Sequence, residues 1–169
     1  MTLNDTGFDS AQRDAVDVTL AGGASNESVT LEWATVDGDT GTGNVTVASE
    51  NDTDTEPVTV QEPASFAVNV TDTTSPVAEG ETLTVTANVT NVGDVQATQT
   101  VTLEDTGFDS LERDAVDVTL AAGASNESVE LEWATADGDA GTGDVTVASE
   151  NDTATESSRT QVTCRRPRR

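Results

Sequence analysis

The chain has 169 residues, enough for one domain of ordinary size and part of another. Its 32 acidic residues face seven arginines and no lysine, a net charge of −25 that repels nucleic acid and works against a compact state in dilute buffer. Histidine, lysine and tyrosine are all absent, so the usual general base, Schiff-base amine and phenol are missing and catalysis finds little support.

Residues 2–56 return as residues 102–156 with nine differences, at positions 4, 11, 12, 22, 30, 36, 40, 44 and 54. One β-rich unit therefore recurs at a spacing of 100 positions, the length of one sandwich-sized domain. Such an array points to a spacer or adhesive surface protein. Met1 stands opposite Val101, where a valine-type start codon read as methionine would place it. The chain is accordingly expected to begin inside a unit, with residues 1–60 holding only trailing strands, a linker at 61–64 and a complete unit at 65–156.

Leu, Ile, Val and Phe number 33 of 169, just under the roughly 20% below which high charge signals disorder. The order of the residues argues the other way, because disordered chains do not hold valines to alternate positions over several segments. Molar salt shortens the Debye length to about 3 Å and removes most carboxylate repulsion. A salt-loving origin follows, with a fold that tightens in brine.

In the first copy Val58 and Val60 alternate, marking a last strand at 57–60. Phe66, Val68 and Val70 then alternate with Ala67, Asn69 and Thr71, giving the first strand of the complete unit. Ser75-Pro76 and Glu79-Gly80 interrupt it. Leu83, Val85, Ala87 and Val89 form a second strand that ends near Asn91-Val92-Gly93-Asp94, and a third covers about 97–103 with Val101 and Leu103 inward. Residues 104–114 read as an acidic connection in which Phe108 and Leu111 tuck back as a lid, with room for a short helical turn. Val116, Val118 and Leu120 give a fourth strand, and a turn at 121–126 leads antiparallel into Val129, Leu131 and Trp133. After the loop DGDAGTGD (137–144) come Val145 and Val147. The seventh strand is expected to start near Thr155 and to be damaged by the altered tail.

Seven short strands with turn signals between them fit an all-β, immunoglobulin-like, seven-stranded antiparallel β-sandwich. Trp133, Phe66 and Phe108 are the bulky core candidates, with carbohydrate stacking by Trp33 and Trp133 as the rival reading. The segments GETLTVTANVTNVGD (80–94), TVTLED (100–105), VDVTLAAGASNESVELEW (116–133) and GTGDVTVASENDTATE (141–156) together resemble the CARDB family, the cell-adhesion-related domain found in bacteria. The likeness spans 65–156 as a complete unit and 1–60 as the trailing part of another. It implies a seven-stranded sandwich used in tandem on secreted and surface proteins, including those of halophilic archaea, with no catalytic residues to carry over.

Eight of the nine asparagines open an N-x-[ST] triplet: Asn4, Asn26, Asn44, Asn51, Asn69, Asn88, Asn126 and Asn151. With 42 Ser and Thr in the chain, chance gives about two, so an N-glycosylated exported surface is one reading. The other is an outward strand face that favours Asn and Thr two residues apart. The loops at 37–44 and 137–144 pair Asp37 with Asp39 and Asp137 with Asp139, weak candidates for calcium. An EF-hand ligand set counted from Asp37 fails at Gly41 and Ala48, so the ordinary reading is a solvated hairpin connection. Cys164 has no imidazole partner, no run is long and apolar enough to span a membrane, and nothing after Met1 resembles a signal peptide.

After Glu156 the copies part, and SSRTQVTCRRPRR carries Arg159, Arg165, Arg166, Arg168 and Arg169. The segment 157–169 reads as an aberrant basic tail or as a binder of acidic lipid or nucleic acid. The expected function is a non-enzymatic, surface or secreted adhesion-type repeat without cofactor, with loops 104–114 and 137–144 as contact surfaces. Its partner would be a protein or polysaccharide of the cell envelope, with pairing through the incomplete first unit as a further route. Alternatives are an accessory β-module of a secreted hydrolase and a gene fragment without function.

Overall fold

The structure, a computed structural model, describes residues 1–161, which hold twelve strands and no helix. Cys164, Arg165, Arg166, Arg168 and Arg169 lie outside the described residues. The chain divides into two compact units, Met1–Glu62 and a second that begins at Pro63.

In unit 1, β1 (Thr2–Thr6), β2 (Gln12–Ala15), β3 (Gly41–Ala48) and β4 (Thr53–Val60) form one antiparallel sheet in the order β2-β1-β3-β4. Residues 16–40 contain no strand.

Unit 2 is the two-layered sandwich expected from the sequence. Its first strand divides into β5 (Phe66–Thr73) and β6 (Val77–Ala78). It continues with β7 (Thr82–Asn91), β8 (Ala97–Thr106), β9 (Glu112–Leu120), β10 (Ser125–Ala134), β11 (Gly141–Ala148) and β12 (Thr153–Gln161). One sheet has the order β10-β7-β5 and the other β6-β12-β11-β8-β9. Period-2 patterning sets the faces: Leu83, Val85, Ala87 and Val89 of β7 are all 0% exposed while the threonines between them look outward. Val101, Leu103, Leu131, Trp133, Val145 and Val147 meet them from the other strands. Each such side chain contributes about 2 kcal/mol on burial.

Three details differ from the expectation. The unit has eight strands, because the chain passes from one sheet to the other at Ser75-Pro76; β6 then pairs parallel with β12, Thr160 opposite Val77. The 104–114 connection is mostly strand, since β8 runs to Thr106 and β9 starts at Glu112, leaving a short turn without a helix. Leu111 does not tuck back but stands 52% exposed, because it is the backbone of the turn, not its apolar side chain, that is held to the sheet. Finally, β12 continues undamaged through Ser157–Gln161, pairing with β11 down to Thr160 opposite Gly141. Backbone ladder bonds do not depend on side-chain identity, so the strand survives. Its inward positions carry Ser158 and Thr160, buried hydroxyls without a hydrogen-bond partner, where the first copy has Val58 and Val60.

At the opposite end from that strand's finish, Asn91 is 0% exposed and gathers several backbones. Its Nδ2 donates to the carbonyls of Val95 (2.8 Å), Leu120 (3.3 Å) and Ala121 (3.2 Å), and its Oδ1 accepts from the N–H of Gly93 (3.1 Å) and Ser65 (3.3 Å). A Cβ on Gly93 would stand 2.0 Å from the Pro63 carbonyl oxygen, so only glycine admits this approach.

Candidate functional site

The two loops expected to make contacts meet at one end of unit 2, and a buried charge joins them to the core. Asp105 occupies an inward position of β8 and is 1% exposed, a placement that costs several kcal/mol unless every lone pair is matched, roughly 2–7 for a polar group. Four donors match it. The N–H groups of Asp109 (3.2 Å) and Ser110 (3.0 Å) reach Oδ1, while Leu111 N–H (3.0 Å) and Arg113 Nε (2.7 Å) reach Oδ2. Burial pushes the Asp105 carboxyl up, but the Leu111 and Ser110 N–H groups and the Arg113 charge outweigh it and hold it below the ordinary 3.8.

Arg113 then serves the core. Its guanidinium lies 4.4 Å from the centre of the Trp133 ring and also pairs with Asp109. Phe108 meets the same indole edge-on at 4.9 Å and 72°. Phe108 lies against Gly141 and Gly143, which were expected in the 137–144 loop but begin strand β11, and a Cβ on Gly143 would be 2.5 Å from the Thr106 carbonyl oxygen and 2.6 Å from the Phe108 ring. The glycines of GTG therefore keep the ring seated. The loop itself is tied down by Glu79, whose Oε1 accepts from Gly138 N–H (2.8 Å) and Ala140 N–H (3.1 Å).

Unit 1 repeats the cluster. Arg13 pairs with Asp5 (2.7 Å) and Asp39 (3.3 Å) and lies 4.4 Å from the Trp33 ring, which Phe8 meets at 4.9 Å. The Asp5 carboxyl is lowered for the same reasons, burial raising it and the N–H groups of Ala11 and Ser10 prevailing. Both tryptophans are thus covered by an arginine and a phenylalanine. Trp133 is 2% exposed and fills the core, which leaves it no face for a sugar ring, whereas Trp33 is half-buried.

Of the carboxylates paired in the glycine-rich loops, Asp39 and Asp139 cap their own turns, accepting from Val36 N–H (2.9 Å) and Ala136 N–H (2.8 Å). Asp37 and Asp137 point to solvent. Among the described residues no group of three or more acidic or cysteine side chains is arranged to hold a metal ion. The sequons spread over the surface: Asn26, Asn44, Asn51, Asn69, Asn126 and Asn151 are exposed, whereas Asn4 and Asn88 are half-buried within strands. Asn151 has a second role, its Oδ1 accepting from Phe66 N–H (3.1 Å) and Gln99 Nε2 (2.8 Å).

The sequence reading passed over Asp105, Arg113 and Asn91. A signal for two of them was present: the two arginines before the tail fall at equivalent positions 13 and 113, and Asn91 is the one asparagine outside a sequon. The arrangement is chemically a rigid pedestal. It spends its charges on its own backbone and presents Leu111, Asp109 and Asp137 outward.

No family model matches the chain, and no curated protein does. Among solved structures it is similar to a β-glucosidase from Listeria innocua in complex with glucose, with a TM-score of 0.50 at 15% identity over 58% of this chain. The same enzyme in another crystal structure gives 0.50 at 16% identity over 59%. The chain spans 16% and 17% of those enzymes, and at such identities the likeness is one of fold alone. It is also similar to the CARDB domain of a Pyrococcus furiosus protein in complex with di-metal ions, with a TM-score of 0.46 at 12% identity over 61% of this chain and 96% of that one. No helix among the described residues is long and apolar enough to cross a membrane.

Proposed function

We propose that the chain is a CARDB-like, non-enzymatic repeat of a secreted or cell-surface protein of a salt-loving organism, acting as a spacer and a weak, repeated contact module. The observation that carries this reading is the duplicated pedestal: in both copies the Asp, Arg and Trp of the cluster are turned inward and only the loop surface above them is offered. A stiff presenting end repeated along a chain suits contacts that add by avidity. The exposed sequons suit a glycan coat, with Asn69 and Asn126 better placed for attachment than Asn88.

The test uses beads bearing many copies of the chain against envelope preparations in molar salt. Beads are expected to be retained while the soluble chain is not, and alanine at Leu111 together with serine at Asp109 and Asp137 is expected to release them. Retention of the soluble chain as a single copy, or breakdown of envelope polysaccharide by it, would contradict the reading.

A further inference from the structure

Two of the eight N-x-[ST] triplets, Asn26-Glu27-Ser28 and Asn126-Glu127-Ser128, differ from the rest in their backbone. In both, the asparagine folds back on its own chain: Oδ1 of Asn126 accepts the N–H of Ser128 (3.2 Å), and Oδ1 of Asn26 accepts that of Ser28 (3.2 Å). Short amide side chains make such turns with the N–H two residues on. The turn is local in origin, since it is the same where the following residues join strand β10 and where they form no strand. Holding Oδ1 against the backbone leaves Nδ2 toward water, and all three residues are exposed in both copies. In unit 2 the turn also coincides with a break in the ladder. Asn126 stands opposite Val89 and Val129 opposite Ala87, so Glu127 and Ser128 share one position, that of Asn88. Such a bulge takes a residue out of the pairing and re-aims its side chain.

The other six triplets keep their hydroxyl within a sheet. Thr6, Thr46, Thr53, Thr90 and Thr153 hold ladder positions, and Thr46 and Thr90 also bond across to Thr55 and Ser125 (2.9 Å each). Thr71, on a bulge of β5, donates to the Thr86 carbonyl (3.1 Å). Several of their asparagines are engaged as well. Asn151 holds Phe66 and Gln99, Asn4 Nδ2 donates to Thr2 Oγ1 (3.3 Å), and Asn88 buries its Oδ1. Exposure of the asparagine therefore does not choose among the triplets, for Asn44 and Asn69 are as open as Asn126. A transferase must reach the amide nitrogen and the hydroxyl residue together, and a paired strand withholds the second.

We propose that the folded chain accepts N-linked sugar at Asn126 and Asn26, and at no triplet held in a sheet. The inference rests on the exported-surface reading and narrows it to two positions, one in each unit. The donor is an oligosaccharide carried on a lipid phosphate. Asn Nδ2 attacks the first sugar carbon, the bond from that carbon to the phosphate oxygen breaks with its electron pair left on the lipid phosphate, and one Nδ2 proton passes to a base of the transferase. In unit 2, Asn126 lies at the Asn91 end of the sandwich, so its sugar leaves Phe108 and the 137–144 loop uncovered.

The test gives the intact folded chain in molar salt, and separately a synthetic peptide for each triplet, to a salt-tolerant single-subunit oligosaccharyltransferase with its lipid-linked oligosaccharide. Sugar is located by mass spectrometry of proteolytic fragments, in which Thr30 and Glu130 tell the two copies apart. Every peptide is expected to accept sugar, whereas the folded chain accepts it at Asn126 and Asn26 and not at Asn44, Asn69, Asn88 or Asn151. No transfer to Asn126 of the folded chain while its peptide accepts, or transfer to Asn69 or Asn88 of the folded chain to the same extent, would overturn the proposal. The exported-surface reading fails by a different result, chain from its native source without sugar at any triplet.

Discussion

Two buried carboxylates, Asp5 and Asp105, show how an acid-rich chain uses charge inside as well as outside. Asp105 is matched by three backbone N–H groups and Arg113, and hydrogen bonds to a charged group contribute about 1.5–3 kcal/mol. Asp105→Asn is therefore expected to cost unit 2 about 2 kcal/mol at pH 7 in thermal melts. Because the folded carboxyl ionises below 3.8, its contribution is complete above that value and is lost as pH falls through the lower folded value. The wild-type acid limb should consequently be steeper than that of Asp105→Asn. The opposite sign is expected at β12, where Ser158 and Thr160 bury hydroxyls without partners. Thr160→Val, which restores the residue type of Val60, should stabilise unit 2 by about 1 kcal/mol, read as a higher Tm.

Strand β7 was legible because nothing interrupts its alternation of Leu83, Val85, Ala87 and Val89. The β8–β9 turn was not, because Asp105 takes an inward place that a polarity pattern assigns to the surface. For the same reason Ser157–Gln161 read as a spoiled tail although Ser157–Thr160 pair with β11 and Gln161 with β6. The turn before β11 was legible, but Gly141–Thr142–Gly143 read as loop and is the start of that strand, and its close approach to Thr106 and Phe108 needed the structure. Gly143→Ala is expected to displace Phe108 from Trp133 and to destabilise unit 2 by at least about 2 kcal/mol, with loss of near-ultraviolet circular dichroism from the indole. The fate of 25–34 could not be read locally at all, since its twin at 125–134 is a strand. What decides between them is the presence of β7, a tertiary cause that overrides propensity.

The whole molecule sets an apolar interior against a net charge of −25. The Debye length falls from about 30 Å at 0.01 M salt to about 3 Å at 1 M, so repulsion among the outer carboxylates fades while the buried Asp105–Arg113 pair is little affected. Unit 2 is expected to unfold at markedly higher temperature in molar salt than in dilute buffer, and a salt-independent melt of the β-sheet signal would count against this balance. Unit 1, whose residues 16–40 lack strand partners, should contribute little cooperative melting at either salt concentration. The most direct test compares two nearly identical segments in one molecule: amide exchange of the unliganded chain in molar salt at 25–34 and 125–134. The fold described predicts strong protection at 125–134 and little at 25–34; equal protection of the two would contradict it.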